Sequence, residues 1–188
     1  MLLGRLAVED DGRDRTPSRP KQCALLAFLL LRQGETVASD VLLEALWGER
    51  PPATAQTALH GHVSALRKQL GPERLVTQPL GYRLELADDD EIDCVRFERL
   101  VAEARADAPA ARSAKLSFAL TLFRGKPLAD FQYEDFAASE IARLEELRLT
   151  AIEERIDAEL QLGRHADVVS DLEGVIEEHP LRERTRAS

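Results

Sequence analysis

The chain has 188 residues, 44% of them hydrophobic and 31% charged, and a formal net charge of -9 at pH 7. This balance predicts a globular protein with a buried core and excludes a low-complexity chain. The longest apolar run, residues 23–31, is far shorter than the roughly 20 residues that cross a bilayer, so no membrane partner is expected.

Two further features bear on where the protein works. Cys23 and Cys94 lie in apolar or amphipathic contexts without CxxC spacing, which predicts buried thiols and a reducing cytoplasm. The charge is also uneven: residues 1–86 carry 11 Lys and Arg against 10 Asp and Glu, whereas residues 87–188 carry 14 against 24. Because acidic surfaces repel phosphate, a nucleic-acid partner would have to contact the N-terminal half.

The first 34 residues predict short strands followed by a central helix. Residues 2–19 alternate weakly in hydrophobicity and contain Gly4, Gly12 and Pro17, which is typical of two or three strands joined by turns. Residues 20–34 combine strong helix formers with a proline at the start and a glycine at the end. Since most of these side chains are apolar, we expect this helix to be buried.

A short second helix is predicted over residues 40–47. Ser39 is placed to cap its N-terminus, and Asp40 adds negative charge at the positive end of the helix dipole. Four apolar residues have the spacing expected for burial: Val41, Leu42, Leu46 and Trp47. The proline pair at 51–52 cannot continue this helix and turns the chain into the next one.

Residues 53–71 predict an amphipathic third helix that ends at Gly71. Its apolar stripe consists of Leu59, Val63, Leu66 and Leu70. Its opposite face carries small, polar or cationic residues that can approach a polyanion: Gln56, Thr57, His60, Gly61, Ser64, Arg67 and Lys68. Taken alone, the pattern is more typical of an ordinary amphipathic helix with a solvated polar side than of a helix whose polar side reads DNA bases (a reading face).

The elements that follow favour the reading face. Residues 75–86 form two β-type runs separated at Pro79 and Gly81, which predicts a short hairpin with Tyr82 and Arg83 just beyond its tip. Strands, three helices and a hairpin in this order are typical of a winged helix. In that architecture the third helix can enter a major groove while the hairpin lies along the adjacent backbone or minor groove.

Two stretches resemble a known family. The runs VLLEALWGERPPATAQTALHGHVSALRKQLG and LVTQPLGYRLEL resemble the OmpR-type winged helix of the Streptomyces antibiotic regulatory protein (SARP) family. Within residues 122–184, the runs LFRGKPLADF, EIARLEELRLTAIEERIDAELQLGRHADVV and EEHPLRER resemble the bacterial transcriptional activation domain that follows it in that family. The pairing of both domains in this order is more specific than either domain alone.

The fold class that we predict is mainly α with small β: a winged helix-turn-helix over residues 1–87 and an all-α domain over 88–188. Helices are expected over 93–106, 111–123, 134–162 and 165–178. The resemblance implies that these are tetratricopeptide-like hairpins and that further helices follow HPLRER. We therefore expect either a C-terminally truncated domain or a short homologue that covers its apolar face by self-association.

The sequence gives little support for catalysis or for metal binding. His60 and His62 are two residues apart, which places them on different sides of a helix, and no third ligand is spaced near them. The glutamate pairs at 145–146 and 153–154 alternate with arginines, as on a solvated helix face. We expect no metal, no cofactor and no enzymatic activity.

The candidate DNA contacts are assigned by helix face and by position in the hairpin. The base-reading candidates are Thr57, His60, Ser64, Arg67 and Lys68. Thr54 and Gln56 could bind phosphate near the helix N-terminus, and Thr77, Tyr82 and Arg83 could contact DNA from the wing. Arg67 fits either guanine or phosphate, and packing of the hairpin against the core is a strong alternative for Tyr82.

The resemblance implies a sequence-specific activator that binds direct repeats in double-stranded promoter DNA as a homodimer and acts at the nucleoid. It also implies recruitment of RNA polymerase holoenzyme through the helical domain and the loop Glu49, Arg50, Pro51 and Pro52, and control of secondary-metabolite (antibiotic) genes. The alternative is a protein-interaction module whose acidic helices bind a partner and whose winged helix serves docking or dimerisation. Salt dependence distinguishes the two, because DNA binding weakens steeply with salt.

Overall fold

The computed structural model describes residues 1–164 and separates into two compact units. The first unit comprises Met1–Ile92 and Gly125–Ile141, and the second comprises Asp93–Arg124 together with the described residues from Ala142 onward. The helix expected over 165–178 and the expected truncation at the C-terminus lie outside the described residues.

The first unit is a winged helix, which confirms the predicted fold class. Its elements in chain order are β1 (Glu9–Asp10), β2 (Arg13–Asp14), α1 (Pro20–Leu31), β3 (Val37–Ala38), α2 (Ser39–Trp47), α3 (Ala55–Leu70), β4 (Leu75–Gln78) and β5 (Gly81–Leu84). Strands β1 and β2 form an antiparallel pair, and the other three form a sheet in the order β3-β5-β4.

Helices α1 and α3 contribute a large part of the core of this unit. Eight of the 12 residues of α1 are buried, as its apolar composition predicts. On α3 the buried stripe is Leu59, Val63 and Leu66, while Leu70 at the end is half-buried. Each fully buried leucine contributes about 1.5–3 kcal/mol relative to an exposed one, so the stripe fixes which face of α3 is exposed to solvent.

Strand β3 was not predicted, and it fixes the wing. Val37 pairs with Tyr82 and Ala38 with Gly81 in an antiparallel register. A Cβ on Gly81 would lie 1.9 Å from the Val37 carbonyl oxygen, so only glycine permits this approach. With two residues, β3 is too short to show an alternating pattern in the sequence.

The start of α2 differs from the prediction. Ala38, not Ser39, occupies the N-cap position, and no side chain caps the helix. Ser39 is the first helical residue, and its backbone N–H donates to the Leu80 carbonyl oxygen at 3.0 Å. The hairpin tip therefore satisfies the N–H of the first residue of α2, which has no partner within the helix.

Two residues of α2 are less buried than predicted. Val41 keeps 43% of its surface exposed, so the prediction that it is buried is wrong. Trp47 is half-buried and stacks against His62, with ring centroids 6.1 Å apart and planes inclined by 22°. The second unit contributes α4 (Asp93–Ala104) and α5 (Pro109–Leu120), and α6 (Asp135–Gln161) begins in the first unit and continues in the second.

The segment Gly125–Ile141 belongs to the first unit, although it is far from that unit in sequence. The Leu128 N–H donates to the Leu2 carbonyl oxygen at 2.8 Å, and the Ala129 N–H donates to the Gly4 carbonyl oxygen at 2.9 Å. These bonds join the segment to the N-terminal residues. The boundary that we placed near residue 87 stays a prediction.

Side chains strengthen this attachment. Asp130 Oδ2 accepts a hydrogen bond from the Leu6 N–H at 2.9 Å. Phe131 packs against Phe136 with centroids 5.7 Å apart, and Phe136 packs edge-on against Phe28 of α1 at 5.4 Å. Among residues 1–164, no helix is long and apolar enough to span a membrane.

Candidate nucleic-acid interface

The face of α3 opposite the buried stripe is exposed. Its exposed polar and cationic side chains are Gln56, Thr57, His60, Ser64 and Lys68. At a rise of about 1.5 Å per residue, the 16 residues of α3 extend about 24 Å, which is long enough to cross a major groove. The helix contains no acidic residue, in a chain whose net charge is -9.

The N-terminal end of α3 has polar groups available for a ligand. Thr54 occupies the N-cap position and is exposed, and its side chain makes no capping hydrogen bond. One turn into the helix, Gln56 Nε2 lies 3.2 Å from His60 Nε2. This contact orients two of the candidate residues relative to each other, on the face that the sequence indicated.

Arg67 joins α3 to the wing. Its Nε donates to the Leu75 carbonyl oxygen at 2.7 Å, and its Nη2 donates to Thr77 Oγ1, also at 2.7 Å. The side chain is half-buried, unlike that of the exposed Lys68. The structure thus brings Arg67 and Thr77 together and uses part of the guanidinium to hold β4 against the helix.

The remaining wing candidates differ in exposure. Tyr82 keeps only 6% of its surface exposed, which agrees with the packing alternative for its ring, and we leave it out of the interface. Arg83 is half-buried, and its Nε donates to Glu85 Oε1 at 2.6 Å. Because Glu85 offsets its charge, Arg83 is a weaker attractor of phosphate than Lys68.

Sequence reasoning missed Leu80, which is 78% exposed at the tip of the wing. Its backbone is held by the Ser39 N–H and by the close approach of Gly81 to β3. Two-residue hairpin connections favour glycine, asparagine and aspartate. An apolar residue in this turn is therefore the sequence feature from which the exposed tip could have been singled out as a candidate contact.

His62 lies on the side of α3 that faces Trp47, away from His60. Burial, together with the cations of Arg19 and Lys21, lowers the pKa of the His62 imidazole. In residues 1–164 no group of three or more His, Cys, Asp or Glu side chains could hold a metal ion.

The loop between α2 and α3 is accessible. Its members Glu49, Arg50, Pro51 and Pro52 are all exposed. The Pro52 carbonyl oxygen accepts a hydrogen bond from the Ala55 N–H at 2.9 Å, which leads the chain into α3. The structure places these candidates immediately before the exposed face of α3.

Comparison with known families covers most of the chain. Residues 13–84 match the family described as "Transcriptional regulatory protein, C terminal", and residues 92–188 match the "Bacterial transcriptional activator domain". Both describe transcriptional regulators and neither describes an enzyme.

Individual relatives agree with these matches. The regulatory protein AfsR of Streptomyces coelicolor is 38% identical over 98% of this chain, but the chain spans only 19% of AfsR. The regulatory protein DnrI of Streptomyces peucetius is 32% identical over 97% of this chain and 72% of DnrI. The structure of Mycobacterium tuberculosis EmbR in complex with a low-affinity phosphopeptide is similar with a TM-score of 0.89 and 36% identity, over 97% of this chain and 50% of that one.

Proposed function

Because the chain belongs to the SARP family of transcriptional regulators, we propose that it is a sequence-specific DNA-binding activator of transcription. In this proposal two protomers bind direct repeats in double-stranded DNA near promoters and recruit RNA polymerase holoenzyme. The genes under its control serve secondary-metabolite (antibiotic) biosynthesis, and the protein acts at the nucleoid. The chain spans about a fifth of the AfsR relative, so these activities are proposed for the part that is present.

The observation that carries the proposal is the composition of α3. The helix has a fully apolar buried stripe, an exposed stripe of small, polar and cationic residues, and no acidic residue. In a chain with 34 Asp and Glu among 188 residues, a 16-residue helix without any is suited to contact a polyanion. An ordinary solvated helix face would be free to carry acidic residues.

The exposed residues take different roles in this interface. Thr57, His60, Ser64 and Lys68 line the face that enters the major groove, where they contact base edges and phosphates. Thr54 and Gln56 lie at the positive end of the helix dipole, which favours a backbone phosphate. Arg67 positions the wing through Thr77, and Arg83 adds a weaker phosphate contact.

The proposal assigns the polymerase contacts to surfaces that DNA does not use. The loop of Glu49, Arg50, Pro51 and Pro52 is exposed and carries one acidic and one basic residue. Residues 87–188 hold 24 Asp and Glu against 14 Lys and Arg. Such an acidic surface repels DNA and therefore suits a protein partner.

Lys68→Ala, measured against Lys126→Ala, tests the interface. Both are exposed lysines of the first unit, but only Lys68 lies on α3. Binding of a labelled promoter fragment at fixed salt should weaken about 5- to 150-fold for Lys68→Ala, from a loss of about 1–3 kcal/mol, and stay within about twofold for Lys126→Ala. Equal effects of the two substitutions would remove α3 from the interface.

Two further measurements test the rest of the proposal. A footprint with two equally oriented protected segments supports direct repeats bound by two protomers. Affinity for the promoter should fall by orders of magnitude between roughly 50 and 200 mM salt. Affinity that is insensitive to both salt and DNA sequence would favour the protein-docking alternative.

A further inference from the structure

The first unit contains an open groove of about 470 Å³ that shares no residue with the proposed DNA-contacting set. All of its lining residues lie within Met1–Ile92. Its floor is formed by Leu26 and Leu30 of α1 and Leu84 of β5, which are at most 8% exposed, and by Leu70 at the end of α3, which is half-buried. The volume is within the range of about 300–1,000 Å³ that is common for ligand clefts.

The rim of the groove is acidic. Seven carboxylates line it against three cationic groups, which are the guanidinium groups of Arg15 and Arg74 and the N-terminal ammonium of Met1. The carboxylates belong to Glu9, Asp10, Glu73, Glu85, Asp89, Asp90 and Glu91. A nucleic acid would be repelled by this rim, which separates the groove from the DNA-binding role of the same unit.

Some of these carboxylates are already neutralised. Three have arginine partners within the unit: Asp10 with Arg15, Asp90 with Arg74 and Glu85 with Arg83. Glu9, Glu73 and Asp89 have no ion-pair partner among the residues that the structure describes. The groove therefore combines leucine side chains below with uncompensated negative charge above.

We propose that this groove docks a basic amphipathic helix of another protein. Leucine-type side chains of that helix would cover the floor, and its lysines or arginines would meet Glu9, Glu73 and Asp89. An open groove with an apolar base suits the apolar face of a helix. Charge complementarity selects a cationic helix and excludes an acidic one.

The probe is a labelled synthetic peptide of about 14 residues, built from leucine and lysine so that the leucines share one helix face. One control peptide has the same composition in scrambled order, and a second has serine in place of leucine. Fluorescence anisotropy with the full chain should give the amphipathic peptide a Kd about tenfold or more below that of either control.

A matched pair of variants locates the site. The rim pair is the double variant Glu73→Lys with Asp89→Lys, which reverses two charges of the groove. The control pair is the double variant Glu35→Lys with Glu44→Lys, which makes the same change in net charge at exposed positions outside the groove. The rim pair should weaken the amphipathic peptide about tenfold or more, and the control pair at most about twofold. Leu86→Ser, at a lining residue that is 38% exposed, changes the apolar surface without changing charge and should also weaken binding.

Three results would overturn the inference. Equal weakening by both charge-reversal pairs would mean non-specific attraction to an acidic protein, and equal binding of the serine peptide would mean that the floor is not used. A dimer that the rim pair converts to monomer would assign the groove to a second copy of this chain. Because the groove and the DNA face share no residue, the peptide result stands whether or not the promoter fragment binds.

Discussion

Because residues 125–141 are attached to the winged helix, we expect Phe131 to stabilise the first unit. Its ring is 4% exposed and packs on Phe136, which in turn packs on Phe28 of α1. Phe131→Ala removes this burial and leaves a cavity, which costs about 3–5 kcal/mol of the free energy of unfolding. With a urea m-value of about 1.5 kcal/mol per M, the midpoint should fall by about 2–3 M.

The assay uses the intrinsic fluorescence of Trp47. It is the only tryptophan of the chain and lies in α2, so it reports on the first unit. Tyr133→Ala is the matched control, because Tyr133 is an aromatic residue two positions away that is fully exposed. The control should change the free energy of unfolding by less than about 0.5 kcal/mol.

The outcome shows whether residues 125–141 fold as part of the first unit. If Phe131→Ala leaves the Trp47-detected transition unchanged, the segment Gly125–Ile141 does not support the first unit, and a boundary near residue 87 describes its folding. If the transition shifts as expected, a fragment that ends near residue 87 lacks part of its own core. Such a fragment should then be markedly less stable than the same unit in the full chain.

Three other predictions concern the wing and the stability of the first unit. Arg67→Ala should lower both the stability of the first unit, by about 1–3 kcal/mol for two charge-assisted hydrogen bonds, and affinity for promoter DNA. Thr77→Val should reproduce part of both losses, and adding it to Arg67→Ala should lower stability and affinity little further. Fully additive losses in the double variant would show that the two side chains act separately. Leu80→Asp should weaken promoter binding several-fold without changing the unfolding midpoint, since its side chain is exposed; unchanged affinity would remove the wing tip from the interface. Because the pKa of His62 is lowered in the folded protein, the unfolded chain binds its proton more readily, so stability should decrease as the pH falls below about 6.5. His62→Gln should reduce that slope in a series of melting temperatures, and an unchanged slope would mean that other groups cause it.

Local patterns were sufficient for the helices and the hairpin. The spacing of Leu59, Val63 and Leu66 predicted both α3 and its buried side, because side-chain direction repeats every 3.6 residues along a helix. The paired β-type runs around Pro79 predicted β4 and β5. The exposed face of α3 followed from the same periodicity, so the candidates on it were recognisable from the sequence.

Contacts between residues that are far apart in the sequence could not be predicted from it. Val41 had the spacing of a buried residue but remains exposed, and the wing candidate Tyr82, whose backbone pairs with Val37 of β3, is buried. Arg67 has the position of a base reader, yet its two hydrogen bonds depend on where β4 lies. Periodicity states which side of a helix is apolar, but it does not state which neighbour each side chain will meet.

The sequence by itself determined the winged helix, its family and the direction in which α3 turns its polar side, because these depend on residues close together in the chain. Only the tertiary structure decided that residues 125–141 complete the first unit, that Arg67 holds the wing, and that leucines and carboxylates form one groove. Each of these features joins residues far apart in sequence, and their burial and pairing energies exist only once the chain has folded.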